Sequence, residues 1–159
     1  VAGPLTTIGA VLDERGLRAE KGAPRTFDAD AFVAAVRRLR AGPTGGDAGD
    51  VRLPDFDRIV DEPRADRIVV AAAAQIVVVE GNYLLLNEPP WAELRDLFDA
   101  IGHIEIDDAT RVERLIRRHV EFGKTPHAAA EFVDASDEPN AHLVNRVRAR
   151  ADLVIEADR

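Results

Sequence analysis

The sequence predicts an α/β fold in which helices cover a parallel β-sheet, and three features predict it. Ile76–Leu86 reads Ile-Val-Val-Val-Glu-Gly-Asn-Tyr-Leu-Leu-Leu. Its four leading β-branched residues are typical of a central strand that has no face in water. Two further strands are predicted over Ile101–Ile106 and Ala151–Glu156. Helical segments separate the strands, and this alternation indicates a parallel sheet with helices on its faces.

The predicted helices are recognised by their caps and by apolar residues at helical spacing. Asp28 is the predicted N-cap of a helix. The apolar face of that helix consists of Phe32, Val33, Val36 and Leu39. A second helix is expected to begin at Pro89-Pro90-Trp91, and Asp108 to cap a third over Ala109–Glu121. Between the first helix and Ile76, Val51–Arg58 is predicted to be extended and Arg67–Val70 to be a short strand.

Length and charge narrow the classes of function. The chain has 159 residues and a formal net charge of −8, so we predict one domain over residues 1–159. The negative charge argues against non-specific binding of nucleic acid or of an anionic membrane. The chain contains no cysteine, which fits a reducing cytoplasm. No apolar run reaches transmembrane length and no secretory signal pattern is present, so a cytoplasmic location without a membrane partner is expected.

Glu80 is the first candidate for a functional side chain. It follows the apolar strand directly and precedes Gly81, at which the backbone can turn sharply. Ligands of open α/β sheets bind beyond the carboxyl ends of the strands, so a carboxylate at this position suits a catalytic role. The alternative is that Glu80 caps a turn in solvent.

Arginines on the third predicted helix form the second candidate. Arg111, Arg114 and Arg118 lie at i, i+3 and i+7, with Arg117 beside them. Guanidinium groups presented together suit a polyphosphate, because each can donate to two oxygens. The alternative is a solvated helix face that pairs with Glu113 and Glu121.

Two smaller candidates lie elsewhere. Asp55 and Asp57 flank Phe56, and carboxylates beside a ring suit a hydroxylated substrate; the alternative is an Asx-turn after Pro54. None of the histidines shows metal-ligand spacing, although His119 follows the arginines and could contact a phosphate. No nucleic-acid-binding motif is present.

Taken together, these stretches resemble the uridine kinase and phosphoribulokinase branch of the P-loop kinases, near the bacterial nucleoside kinase-like, fructokinase-like and pantothenate kinase-like proteins. The resemblance runs in family order over residues 16–156. The matching segments are Lys21-Gly22-Ala23-Pro24, Thr26-Phe27-Asp28, Leu53-Pro54-Asp55-Phe56-Asp57-Arg58, Val78-Val79-Glu80-Gly81-Asn82-Tyr83-Leu84-Leu85, Arg114-Leu115-Ile116-Arg117-Arg118-His119-Val120, Phe122-Gly123-Lys124-Thr125 and Asp137-Glu138-Pro139-Asn140-Ala141.

The resemblance implies a three-layer P-loop NTPase-like fold with a helical lid at about residues 111–135. It implies phosphorylation of a hydroxyl on a small metabolite, with ATP and Mg²⁺ as cofactors. Glu80 would lie near the metal and the acceptor. The ATP-binding residues would be Arg114, Arg117, Arg118 and Asn140. The acceptor side would contain Asp57, Arg58, Lys21 and Phe27. The acceptor itself stays open among sugars, nucleosides and pantothenate, and a homodimer is the protein partner that we expect.

The sequence departs from this family in one respect. It contains neither the phosphate-loop pattern G-x-x-x-x-G-K-[ST] nor the Asp-Gly-Phe segment whose aspartate is the base that the resemblance implies. Val1-Ala2-Gly3-Pro4 resembles the opening of a phosphate loop, and the sequence has no methionine. We therefore expect the loop to lie outside these residues. The alternative is a non-catalytic homologue that binds a nucleotide or a metabolite.

Overall fold

A computed structural model describes residues 9–17, 20–42, 49–57 and 62–157. The chain divides into two compact units, Val1–Phe98 and Asp99–Arg159. In the described part of the chain, no helix combines the length and the apolar composition that crossing a membrane requires.

The described residues of the first unit form three helices and one antiparallel pair of strands. The helices are α1 (Gly9–Glu14), α2 (Ala29–Ala41) and α3 (Leu94–Leu97), and short 3₁₀ turns cover Pro24–Thr26 and Trp91–Glu93. Strands β1 (Val51–Asp57) and β2 (Glu62–Val70) pair antiparallel, with Val51 opposite Val70 and Asp57 opposite Glu62. The extended conformation predicted for Val51–Arg58 is confirmed as far as Asp57. The sequence did not predict the hairpin pairing.

Helix α2 follows its prediction closely. The Asp28 carboxylate accepts a hydrogen bond from the backbone N–H of Ala31 at 3.0 Å, which satisfies a donor that has no partner within the helix. Phe32, Val33 and Val36 are buried, as their spacing predicts. The helix therefore packs its apolar face into the core of the first unit.

Aromatic rings hold the centre of this unit. The Tyr83 ring lies 5.6 Å from Phe27 and 5.8 Å from Trp91, both in edge-to-face geometry, and Phe32 lies 6.1 Å from Trp91. Such pairs add about 0.5–1.5 kcal/mol each beyond the area that they bury. Tyr83–Leu86 is buried throughout, so this segment anchors the middle of the chain.

The strand predicted for the start of Ile76–Leu86 is wrong. Residues Ile76–Val78 form no strand, and their side chains are exposed, with Ile76 83% accessible. A strand needs a neighbour to satisfy its backbone. Within the predicted run only Val79 forms an isolated β-bridge, whereas Ile76–Val78 belongs to neither of the strand pairs among the described residues. Burial begins instead after Gly81, in the turn that holds Tyr83.

As far as residue 157, the second unit consists of a parallel strand pair and three helices. Strands β3 (Gly102–Glu105) and β4 (Leu153–Glu156) pair in parallel, with Gly102 opposite Leu153. This pair confirms the parallel arrangement that the alternation predicts. The helices are α4 (Asp108–Glu121), α5 (Pro126–Phe132) and α6 (Glu138–Arg146), with a π-helical segment at Val133–Asp137 and a 3₁₀ turn at Arg148–Arg150.

Capping side chains fix the starts of α4 and α5. Asp107 accepts a hydrogen bond from Thr110 N–H at 2.9 Å, so the cap lies one residue before the predicted Asp108. Thr125 caps α5 through Ala128 N–H at 3.2 Å. Both caps orient the segment that the resemblance identifies as a lid.

We expect Leu94→Ala to lower the free energy of unfolding by about 2–5 kcal/mol, because Leu94 is fully buried and its loss leaves a cavity. Ile76→Ala should change it by less than about 0.5 kcal/mol, since that side chain lies in water. Urea unfolding followed by Trp91 fluorescence measures both. Equal losses would place Ile76 in a packed core and contradict the observed exposure.

Candidate functional site

Glu80 lies in an exposed position just before a buried anchor. Its side chain is exposed, and no described residue forms a hydrogen bond or an ion pair with it. The turn that follows is fixed by the burial of Tyr83 and by the hydrogen bond from Leu86 N–H to Tyr83 C=O at 3.1 Å. An accessible carboxylate on an ordered turn can accept a proton or bind a cation. Mg²⁺ is typically held by one or two carboxylates together with phosphate oxygens and water, so Glu80 fits as one such ligand.

The loop from Glu20 to Thr26 is braced by hydrogen bonds. The buried Tyr83 hydroxyl donates to Gly22 C=O at 2.5 Å, across 61 residues of sequence. Thr26 is fully buried; its hydroxyl accepts from Gly22 N–H at 3.0 Å and donates to Ala23 C=O at 2.7 Å. Gly22 has φ +108°, a conformation that strains any other residue. Lys21 is therefore presented from a loop with a fixed backbone.

Phe27 ends this loop and lines a cleft of about 480 Å³. We define the Phe27 cleft by six of its lining residues, which are Arg15, Arg25, Phe27, Asp30, Glu88 and Trp91. Its volume lies within the roughly 300–1,000 Å³ of small-molecule pockets. Of the residues predicted for the acceptor side, Phe27 lines this cleft, whereas Lys21 and Asp57 do not.

The residues predicted around Asp57 have a different setting. Asp55 and Asp57 lie in β1 rather than in a turn, so the Asx-turn alternative is wrong for them. Asp57 is half-buried and forms an ion pair with Arg64, whose Nε lies 3.6 Å from the carboxylate. Arg58 lies outside the described residues, so its predicted role stays a prediction.

The four arginines of α4 divide into two groups. Arg111 is only 18% exposed and contacts Asp108 at 3.0 Å and Glu138 at 2.5 Å, so it joins α4 to α6. Arg114, Arg117 and Arg118 are exposed. Arg117 lies 4.0 Å from Glu121, which is too long for a hydrogen bond. The arginines predicted to bind phosphate are thus the accessible ones. The alternative, a solvated helix face paired with Glu113 and Glu121, is met in part, since Arg117 lies near Glu121.

The Arg111–Glu138 contact shifts the ionisation of both partners. The hydrogen bond from Arg111 lowers the pKa of Glu138, and the same bond raises the pKa of Arg111. Both side chains therefore stay charged over the physiological pH range. The pairing of Arg111 with Glu138 was not predicted from the sequence, because the two residues are 27 positions apart and no local pattern connects them.

His119 and Asn140 lie in the same unit. His119 Nε2 is 2.9 Å from the Asp137 carboxylate, and its ring packs 4.7 Å from Phe132. Lys124 lies over the Phe132 ring at 4.5 Å. His119 therefore has a protein partner where the sequence suggested a phosphate contact. Asn140 is half-buried in α6, and its predicted role in binding ATP stays a prediction.

Three features of the site are not predicted by the sequence. These are the brace from Tyr83 to Gly22, the Phe27 cleft, and the pairing of Arg111 with Glu138. In the described part of the chain, no three histidine, aspartate or glutamate side chains come together in a cluster that could hold a metal ion.

Comparison with known proteins gives curated relatives, although no protein-family model matches the chain. A Schizosaccharomyces pombe protein named "Putative uridine kinase C227.14" is 33% identical over 141 residues, which are 87% of this chain and 58% of that protein. The ATP-dependent kinase-like protein notR' of Aspergillus versicolor is 30% identical over 142 residues, which are 84% of this chain and 82% of that protein. The chain thus spans little more than half of the yeast relative and most of the Aspergillus one.

Two solved structures share the fold. One, titled a "putative fructose transport system kinase" from Silicibacter sp., has a TM-score of 0.80 and 32% identity, and the match covers 94% of this chain and 69% of that one. The other is YFH7 from Saccharomyces cerevisiae, titled "a putative P-loop containing kinase", with a TM-score of 0.75 and 20% identity over 94% of this chain and 52% of that one. The predicted P-loop NTPase-like α/β fold is confirmed by these likenesses.

We expect Glu138→Gln to lower the free energy of unfolding at pH 7 by about 1 kcal/mol, since Arg111 loses a charged partner. The lowered pKa of Glu138 stabilises the fold above its unfolded pKa of about 4.3. That contribution is lost as the pH falls through the folded value. The gap between variant and wild type should therefore shrink below pH 4. Urea unfolding followed by far-ultraviolet circular dichroism measures it.

The control is Glu121→Gln, which removes an exposed carboxylate from the same unit. It should change the free energy of unfolding by less than about 0.5 kcal/mol. A gap for Glu138→Gln that persists unchanged at low pH would show that the ion pair is not its cause.

Proposed function

The chain belongs to the uridine kinase-like family of P-loop kinases, and from this premise we propose that the protein transfers the γ-phosphoryl group of ATP to a hydroxyl of a small metabolite. The observation that carries the proposal is the division of the α4 arginines. Arg111 is held within the unit, whereas Arg114, Arg117 and Arg118 reach solvent. An exposed guanidinium cluster on one helix suits a polyphosphate.

In this mechanism the residues of the chain position the reactants and balance charge. ATP supplies the phosphoryl group, and Mg²⁺ offsets the negative charge on its oxygens. The exposed Glu80 carboxylate would bind the cation or accept the proton of the acceptor hydroxyl. The arginines of α4 would stabilise charge on the equatorial oxygens during transfer, with Asn140 as a further contact to ATP.

The acceptor side is proposed to include Phe27 and Lys21, with Asp57 from β1 and with Arg58 as further contacts. The rigid loop that presents Lys21 and the cleft beside Phe27 support the part of this assignment that concerns Lys21 and Phe27. The kinase names of the relatives do not favour the alternative of a non-catalytic binding homologue. The names of relatives refer to both uridine and fructose, so a nucleoside and a sugar are the classes of acceptor to test.

Glu80→Gln, made in the protein at its natural length, should lower kcat at least about 100-fold, because the amide can neither take a proton nor offer a negative ligand. Transfer of labelled phosphate from ATP to a panel of sugars and nucleosides measures it. The control is Glu14→Gln, an exposed carboxylate on α1, which should leave kcat unchanged. If Glu80→Gln turned over at the wild-type rate, the role given to Glu80 would be wrong.

Arg118→Ala should lower kcat/KM for ATP about tenfold or more, because a charged hydrogen bond to phosphate is lost. Arg146→Ala is the matched control, since Arg146 is an exposed arginine near the end of α6 with no described partner. Steady-state kinetics with varied ATP compares the two. Equal effects would mean that the loss reflects overall charge rather than a phosphate contact on α4.

A further inference from the structure

We propose that His119 is a positioning residue, which holds the end of α4 so that Arg118 reaches the phosphates of the nucleotide. The inference rests on the proposed function, because it concerns how the exposed arginines of α4 are presented. It goes further in giving a role to a side chain that touches neither ATP nor the acceptor. The role follows from the way in which α4 is attached to its own unit.

Apolar packing alone does not fix the position of α4. None of its residues is fully buried, and the apolar side chains of Val112, Leu115 and Ile116 are half-buried. Because apolar contact is non-directional, a half-buried face permits small shifts along and around the helix axis. Hydrogen bonds and ion pairs of defined geometry supply the remaining constraint.

Two polar contacts attach α4 to one short stretch of the chain. Arg111 contacts Glu138 at 2.5 Å, and His119 Nε2 lies 2.9 Å from the Asp137 carboxylate. Asp137 ends the π-helical segment and Glu138 begins α6, so the two carboxylates are neighbours in the sequence. Arg111 and His119 lie about two turns apart on α4, or about 12 Å along its axis. Contacts at two separated points set the direction of a helix axis, whereas a single contact leaves a pivot.

The His119 ring is itself held in place. It packs edge-to-face on Phe132 with 4.7 Å between the ring centroids, and the Lys124 ammonium lies 4.5 Å from the centroid of the same phenyl ring. Lys124 reaches this place through the turn that ends α4, since its N–H donates to His119 C=O at 3.0 Å. Gly123, with φ +96°, donates its N–H to Val120 C=O at 2.9 Å, and the two bonds form a Schellman motif. The imidazole therefore projects from a well-defined helix end.

Arg118 is the phosphate-binding candidate that this contact affects most directly. It precedes His119 in the last turn of α4, and its side chain is exposed. With Arg111 as the pivot, a swing of α4 by about 6° moves Arg118 by about 1 Å, because the two lie about 10 Å apart along the axis. A displacement of about 1 Å can cost about 100-fold in rate. His119 thus acts on the reaction through the place that it gives to Arg118.

A direct contact of His119 with phosphate is the competing role. Its Nε2 already faces the Asp137 carboxylate, and the two side chains are 21% and 25% exposed. A phosphate group that approached this nitrogen would meet the negative charge of Asp137 as well, and the repulsion would offset the contact. The geometry therefore supports positioning rather than binding.

Four variants test the contact in the protein at its natural length. His119→Ala removes the ring, and Asp137→Ala removes its partner. His119→Gln keeps an amide N–H donor, and Asp137→Asn keeps an acceptor oxygen. The matched control is His127→Ala, because His127 and Glu131 form a histidine–carboxylate pair at 3.2 Å that lies within α5 and joins no two helices.

We expect His119→Ala and Asp137→Ala each to lower kcat/KM for ATP about five- to tenfold, with the KM for the acceptor unchanged. His119→Gln and Asp137→Asn should keep most of the activity. The double variant His119→Ala/Arg118→Ala should fall less than about twofold below Arg118→Ala, because His119 acts through that arginine. General destabilisation would instead add to the loss. Steady-state kinetics measures these effects, and circular dichroism checks that each variant is folded.

A second measurement separates this inference from the kinase proposal. Isothermal titration with inorganic tripolyphosphate detects phosphate binding without turnover, and His119→Ala should weaken that binding about as much as Arg118→Ala does. A protein that binds tripolyphosphate in this way but phosphorylates no acceptor contradicts the kinase proposal and supports the positioning role.

Four results would overturn the positioning role. The wild type does not bind tripolyphosphate, His127→Ala loses as much as His119→Ala, His119→Gln loses as much as His119→Ala, or the losses of His119→Ala and Arg118→Ala multiply in the double variant.

Discussion

The hydrogen bond from the Tyr83 hydroxyl to Gly22 C=O is the contact on which the candidate site of the first unit depends. Tyr83 is 1% exposed, so its hydroxyl could not be buried at low cost without a partner. The same side chain fixes the turn after Glu80 and packs against Phe27. One buried residue therefore links the exposed carboxylate, the Lys21 loop and the wall of the cleft, although they come from different parts of the sequence.

In the second unit, contacts between charged side chains fix the neighbouring segments, as the Tyr83 hydroxyl does in the first unit. Arg111 could have been a fourth phosphate ligand by its spacing, but its contacts with Asp108 and Glu138 hold it within the unit. The pair of His119 with Asp137 adds a second polar contact between α4 and the π-helical segment. π-Helical segments are frequent at functional sites. These contacts orient α4, and the remaining arginines are presented on a helix whose position is fixed.

Local patterns in the sequence predicted the helices well and the strands less well. Asp28 and the apolar residues after it specify α2 by contacts within a few residues, so cap and core face were predictable. The antiparallel pairing of β1 with β2 depends on register between separate segments, which no local pattern encodes. Ile76–Val78 has the composition of a buried strand, yet its side chains are exposed. Apolar composition indicates that burial would be favourable, but it does not show that a neighbouring strand is present.

The same distinction explains which parts of the site the sequence could reveal. Residue type identified Glu80 and the α4 arginines as candidates, because carboxylates and guanidiniums have few other uses in such clusters. It could not tell Arg111 from Arg118, since both have the same side chain on one helix face. The difference lies in Glu138, 27 residues away from Arg111, which engages one arginine and not the other. A charged side chain is a candidate for binding a ligand when no other residue of the protein already engages it.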